Sequence, residues 1–291
     1  MLSVLIPVFN YQVVSLVRTM VEQTKNTGII FEIIVLDDAS TDAEVISSHK
    51  FLEELPHCRY YQSEKNQGRT ATRNFLAEKA KYGWLLFLDA DVMPKNEDFI
   101  AKFLLHTDAD LVFGGIGYAN EKPEKNRMLR WKYGRAREGK SVEERLKYPY
   151  LSVISGCLLI KKEIFLKVND TLENQYGLDV LFCQNLEKRQ VVVKHIDNPV
   201  IHLGLEDNRS FIEKTKKGLD SLFYFEKRNL IPDNYRPIQQ SRNTLRKYGL
   251  TAVFIRVMKL FVYQIERNLL SKNPSLFLFD LYKLYYLIKL K

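Results

Sequence analysis

Two aspartates stand where an apolar run stops. In Leu85 to Pro94, LLFLDADVMP, the run from Trp84 to Leu88 ends at Asp89 and Asp91. A run of this length reads as a buried strand. On an extended segment, residues i and i+2 face the same side. Carboxylates drawn out of water at a strand end are costly unless something positive pairs with them. The pair could therefore face one hard cation, or a sugar hydroxyl and a cation. The alternative is that one caps the following helix and the other is solvated. A second apolar run, Phe31 to Leu36, ends in the same way at Asp37 and Asp38.

The elements that must hold these carboxylates follow from spacing. Leu2 to Val8 reads as a strand stopped by Pro7 and Asn10, and Val13 to Gln23 as a helix. Ser40 or Asp42 caps a helix running through Leu52. Cys58 to Gln62 is a short strand, Asn66-Gln67-Gly68 a turn, and Thr70 to Lys81 a helix with Ala71, Phe75, Leu76 and Ala80 inward. Trp84 to Leu88 is the next strand. Strands alternating with helices imply an α/β fold with a mostly parallel central sheet and helices on both faces. In such sheets ligands bind at the carboxyl ends of strands where the order reverses. Asp37, Asp38, Asp89 and Asp91 all fall at such ends.

Composition sets the bounds. The 291 residues are 46% hydrophobic and 12% aromatic, ample for a packed core. Cys58, Cys157 and Cys183 lack metal-ligand spacing and read as reduced thiols. No secretory leader is expected from Met1 to Pro7, and no apolar stretch is long enough to span a bilayer. The formal charge is +9, but residues 242–291 hold ten Lys/Arg and two Asp/Glu, or +8. The other 241 residues hold 34 basic and 33 acidic, or +1. This excludes a general nucleic-acid-binding surface and points to one local anionic partner.

Four stretches in order, SVLIPVFNY (3–11), EIIVLDDASTD (32–42), NQGRTATRN (66–74) and WLLFLDADVMP (84–94), resemble the family 2 glycosyltransferases, the inverting group with the GT-A (Rossmann-like) fold. The resemblance implies that Pro7 and Phe9 line a nucleoside pocket. It implies that Asp38 accepts the imide hydrogen of a uracil-like base, and that Arg73 lies near base or phosphates. Asp89 would bond the ribose, with Ala90 between it and Asp91. Asp91 would hold Mn2+ or Mg2+ on the diphosphate. SVISGCLLI (152–160) is similar to the family's glycine-containing acceptor-side loop at Gly156. Tyr176-Gly177-Leu178-Asp179 is similar to its Glu-Asp motif, with Asp179 as catalytic base and Leu178 where glutamate is usual. The alternative for Asp179 is a helix cap. His202, in IHLGLE, resembles the family's late histidine, which completes the metal shell or touches the diphosphate.

Other segments leave choices open. Gly114-Gly115-Ile116-Gly117 is misspaced for a dinucleotide fingerprint and reads as turns or close backbone approach. Residues 120–150, rich in Lys, Arg and Glu, read as a solvated helical excursion or as an acceptor-site wall with Arg130, Arg135 or Arg137 near phosphates. Phe211 to Phe225 closes the domain and Asn229 to Pro237 reads as a linker. The expected division is thus a catalytic domain over 1–228 and a basic amphipathic helical extension over 229–291. In that tail Leu250, Val253, Phe254, Val257, Leu260, Phe261 and Ile265 recur at helical spacing. The tail suits an anionic membrane surface, or packs on the catalytic domain or on a second copy in a homodimer.

The resulting expectation is an inverting transferase. It would move sugar from a UDP-linked donor to a hydroxyl of a glycan or lipid-linked glycan, and reside in the cytoplasm or on the inner membrane face. A non-catalytic nucleotide-sugar-binding or assembly subunit is the rival, hinted at by Leu178. A sugar-phosphate nucleotidyltransferase is disfavoured, because the first strand runs into Pro7-Val8-Phe9-Asn10 rather than a glycine-rich loop.

Overall fold

Leu2–Val8 (β1), Phe31–Asp37 (β2), Cys58–Gln62 (β3) and Trp84–Leu88 (β4) form where the apolar runs lie in a computed structural model, which describes residues 1–169 and 177–290. β2 is buried at every position and β1 and β4 at nearly every one. Strands covered on both faces read as continuous apolar runs, not as alternation. Later come Val92–Pro94 (β5), Leu111–Phe113 (β6), Ile116–Tyr118 (β7), Cys157–Lys161 (β8), Val193–His195 (β9) and Val200–His202 (β10).

The main sheet has the order β3-β2-β1-β4-β8-β6-β9. All its pairings are parallel except the two made by β8, which alone runs against the rest. The carboxyl ends of β1, β2 and β4 therefore share one edge. Because β8 is reversed, its amino end joins them there, with Cys157 opposite Leu88. A second sheet, β5-β10-β7, pairs β10 antiparallel to β5 and sets His202 opposite Val92. At the misspaced glycines, Gly114 and Gly115 carbonyls accept the N–H groups of Asn198 and Val200.

The chain divides into two compact units. One holds Met1–Ala119, Glu138–Asn174 and Phe182–Gly204 and contains both sheets. The other holds Asn120–Arg137, Gln175–Leu181 and Leu205–Lys291. The expected boundary after residue 228 thus does not coincide with the division of contacts. The reason is the core of the second unit. Phe211 and Ile212, on the helix Asn208–Lys227, pack with Leu129 and with Met258, Ile265, Leu269 and Phe279 of the C-terminal helices. Burying one such side chain is worth roughly 1.5–3 kcal/mol, so the helix goes with the tail. The segment expected as a linker leads into a further helix, Pro237–Lys247, with proline at its first turn. Arg242 on that helix is fully buried and pairs with Glu226 at 2.6 Å.

Candidate active site

The sheet edge gathers the sequence's carboxylates. Asp89 follows β4, and its N–H donates to the Gly156 carbonyl at 3.1 Å. That bond is a consequence of the reversed β8. A Cβ on Gly156 would stand 2.8 Å from Asp89 Oδ2, so a side chain there would press on that carboxylate. Arg69 and Arg73 each donate to one carboxylate oxygen of Asp89, at 2.7 Å and 2.5 Å. They sit four residues apart on the helix Arg69–Lys79, on one face.

This helix turns differently from the sequence expectation. Thr72, Arg73, Leu76 and Ala77 are buried, whereas Ala71 and Phe75 are only half-buried. Arg73 is inward because its charge is matched by Asp89. Burial alone would raise the Asp89 carboxyl, but the adjacent charges of Arg69 and Arg73 outweigh it and hold it below the usual range. Arg69 was not singled out in the sequence. Its four-residue spacing from Arg73 is the signal that would have found it.

Asp91 is held from the other sheet. The β5–β10 register brings His202 Nε2 to 3.4 Å from Asp91 Oδ2, and Leu203 N–H donates to the Asp91 carbonyl at 2.8 Å. Gly204 approaches closest of all. A Cβ there would stand 2.2 Å from Asp91 Oδ2 and 2.6 Å from its Cβ. Burial pushes the Asp91 carboxyl up, opposed by His202 and assisted by the neighbouring charge of Asp89. Tyr11 was also passed over. Burial and the charge of Asp91 raise its phenol.

Asp37 and Asp38 separate in function. Asp37 is fully buried, accepts from Ser40 N–H at 2.7 Å and Tyr60 hydroxyl at 3.1 Å, and lies 3.4 Å from His49. It is committed to structure. Asp38 accepts the N–H groups of Gln67 and Gly68, one on each oxygen, at 2.8 and 2.9 Å. Each oxygen retains a further lone pair. Pro7 is half-buried near the end of β1, and Phe9 beyond it is 50% exposed. Ala90 is half-buried between the two aspartates.

The donor chemistry suits a small divalent cation: one carboxylate and one imidazole converge, and burial leaves Asp91 short of positive charge. Among the described residues no group of three or more His, Cys, Asp or Glu side chains could hold a metal. Asp91 and His202 would therefore share an ion with phosphate oxygens and water, the usual habit of Mg2+ in nucleotide sites.

Residues 3–168 match the model of Glycosyl transferase family 2, more than half of the chain. The chain belongs to this glycosyltransferase family. An uncharacterized glycosyltransferase of Haemophilus influenzae is 26% identical over 308 residues, covering 97% of this chain and 90% of the relative. A second from the same organism is 22% identical, covering 70% and 80%. Among solved structures, mannosyl-3-phosphoglycerate synthase from Rubrobacter xylanophilus superposes with a TM-score of 0.55 at 14% identity, covering 81% of this chain and 77% of that one. Glucosyl-3-phosphoglycerate synthase from Mycobacterium tuberculosis, in complex with Mg2+ and UDP, gives 0.52 at 16%, covering 80% of each. The fold is that of the GT-A glycosyltransferases.

Within the family 2 frame, the second unit carries the remaining sequence candidates. Asp179 is the first residue of the helix Asp179–Lys188. Leu178 before it is buried, so the position usually given to glutamate takes an apolar side chain out of water. Tyr176 lies outside the described residues. The three arginines weighed as phosphate contacts are engaged inside their own unit. Arg130 faces Glu206 at 3.8 Å and stacks over Phe211, Arg135 stacks over Trp131, and Arg137 pairs with Asp280 at 2.7 Å. Arg137 thereby ties the excursion to the C-terminal helix that carries Asp280.

Proposed function

We propose that this glycosyltransferase moves a sugar from a UDP-linked donor to a hydroxyl of a glycan or lipid-linked glycan, by one displacement with inversion. The observation that carries the reading is the pair of unequal carboxylates on one sheet edge. Asp89 is neutralised by two guanidiniums, while Asp91 pairs with a histidine, His202, that is charged only when protonated. A neutralised carboxylate is an acceptor for neutral hydroxyls, here those of the ribose. An under-compensated one is a seat for a cation. The mycobacterial synthase of the same fold, solved with Mg2+ and UDP, supports a uridine nucleotide and a divalent cation as ligands.

Pro7 and Phe9 bound the nucleoside. Asp38, fixed by the turn at Gln67 and Gly68, offers its free lone pairs to the imide N–H of uracil, a donor that cytosine lacks. Arg73 holds Asp89 in place, and Gly156 keeps the backbone close behind it. Asp91 and His202 would hold Mn2+ or Mg2+, with Ala90 keeping the two aspartates in register. When bound, such an ion offsets the negative charge that builds on the leaving diphosphate.

Asp179 is assigned the base. Its carboxylate would accept the proton of a hydroxyl that is already attacking. The acceptor oxygen bonds to the anomeric carbon as the bond to the diphosphate oxygen breaks, and UDP departs. Product configuration tests this by NMR: an α-linked donor gives a β-linked product, and Asp179→Asn lowers turnover by at least about 100-fold while donor binding persists. Retained configuration, or an Asp179→Asn enzyme of full rate, contradicts the mechanism.

A further inference from the structure

The C-terminal unit carries an apolar face that its own core does not use. The helix Thr251–Leu269 has two apolar faces about a third of a turn apart. Met258, Ile265 and Leu269 are buried in the core, with Phe254 and Val262 packed against it. Val253, Val257, Leu260 and Phe261 form the second face and point to solvent, Leu260 being 71% exposed. Leu250 before the helix and Phe277 after it are exposed as well. The expected single stripe is thus split, and half of it is exposed among the described residues of the unit.

The exposed charges of this helix and of the residues flanking it are of one sign. Arg246, Lys247, Arg256, Lys259, Arg267 and Lys272 are all exposed. Glu266 is the one acidic residue from 246 to 272, and it accepts the Tyr282 hydroxyl at 2.8 Å on the packed side. We infer that this face docks on an anionic lipid surface, with Val253, Val257, Leu260 and Phe261 entering the acyl boundary and the six cations meeting the headgroups.

Two rival occupancies fit less well. A second copy meeting the face about a two-fold axis would set the same cations against themselves. Among the described residues no single helix is long and apolar enough to cross a membrane; Pro237–Lys247 and Thr251–Leu269 meet both requirements only together, as a pair bent by 116°. Spanning would also place Arg256, Lys259, Glu266 and Arg267 in hydrocarbon. The inference rests on none of the transferase roles above.

The test is co-sedimentation of the full chain with phosphatidylcholine vesicles containing about a third phosphatidylglycerol, or none. The wild type binds only the anionic vesicles and is released by high salt. Leu260→Ser/Phe261→Ser loses binding. Arg256→Ser/Lys259→Ser/Arg267→Ser weakens it on the order of 100-fold, at roughly fivefold per charge. These side chains are exposed, so circular dichroism of both variants matches the wild type. The inference is overturned if the wild type stays in the supernatant with anionic vesicles. It is equally overturned if all three proteins sediment alike, or if light scattering shows a dimer that the serine variants dissolve while lipid is ignored.

Discussion

Arg73→Met isolates the interaction on which the donor site is built. The Arg73 and Asp89 side chains are 7% and 18% exposed, so the pair sits largely outside water. Removing one member of a fully buried pair costs about 3–5 kcal/mol, because the other charge is stranded. Here Asp89 keeps Arg69 and some solvent, which places the loss nearer 2–3 kcal/mol. For a protein of this size that corresponds to a fall in Tm of roughly 3–5 °C. Arg69 makes the same kind of bond to the other oxygen but is 57% exposed. Its replacement by methionine costs under about 1 kcal/mol, or no more than about 2 °C. Thermal melts followed at 222 nm give both numbers, and titration calorimetry gives UDP affinity on the same samples. Both variants bind UDP more weakly, since each frees an Asp89 oxygen to move. Equal and small Tm shifts for the two variants would refute the reasoning that the inward turn of this helix is fixed by Arg73. A lower Tm with UDP affinity intact would detach Asp89 from the donor.

Two further outcomes follow from the geometry. Gly204→Ala forces a methyl against Asp91 and lowers transfer by at least about 100-fold, with Tm shifted by less than in Arg73→Met; unchanged turnover would place Asp91 outside the chemistry. Burial lowers the pKa of His195, and its ring nitrogen meets the Pro149 carbonyl at 2.9 Å. The folded state therefore binds fewer protons there than the unfolded chain, and this contribution is complete above about pH 6.5 and lost as pH falls through the folded value. Denaturant midpoints from pH 7 to 5 should fall less steeply in His195→Phe than in the wild type; parallel slopes would remove His195 from the acid response.

How much of this was legible in the sequence depended on what each segment had to bury. β1, β2 and β4 are covered on both faces, and their continuous apolar runs announced them to within a residue. β5 and β7, three residues each, are too short to show a period. The reversal of β8 left no mark either, because an apolar run has no direction; yet that reversal is what carries Gly156 to Asp89. Asp89 and Asp91 were legible as paired carboxylates at a strand end. His202 was reached through the family resemblance alone, since its approach to Asp91 depends on a register between two distant strands, and Arg73 lies inward against a hydrophobic periodicity that favoured Phe75. The tail stripe was read correctly as apolar but not as two faces. Only packing against Phe211 and Phe279 reveals which half is spent.

The most direct test of the central reading is turnover of a panel of nucleotide sugars by the wild type and by Asp91→Ala, with transfer and UDP release both measured in Mn2+ and after chelation. The account predicts turnover of at least one UDP-sugar, lost on chelation and lowered by about 1,000-fold in Asp91→Ala. Undiminished transfer by Asp91→Ala, or activity confined to donors without uridine, would contradict it.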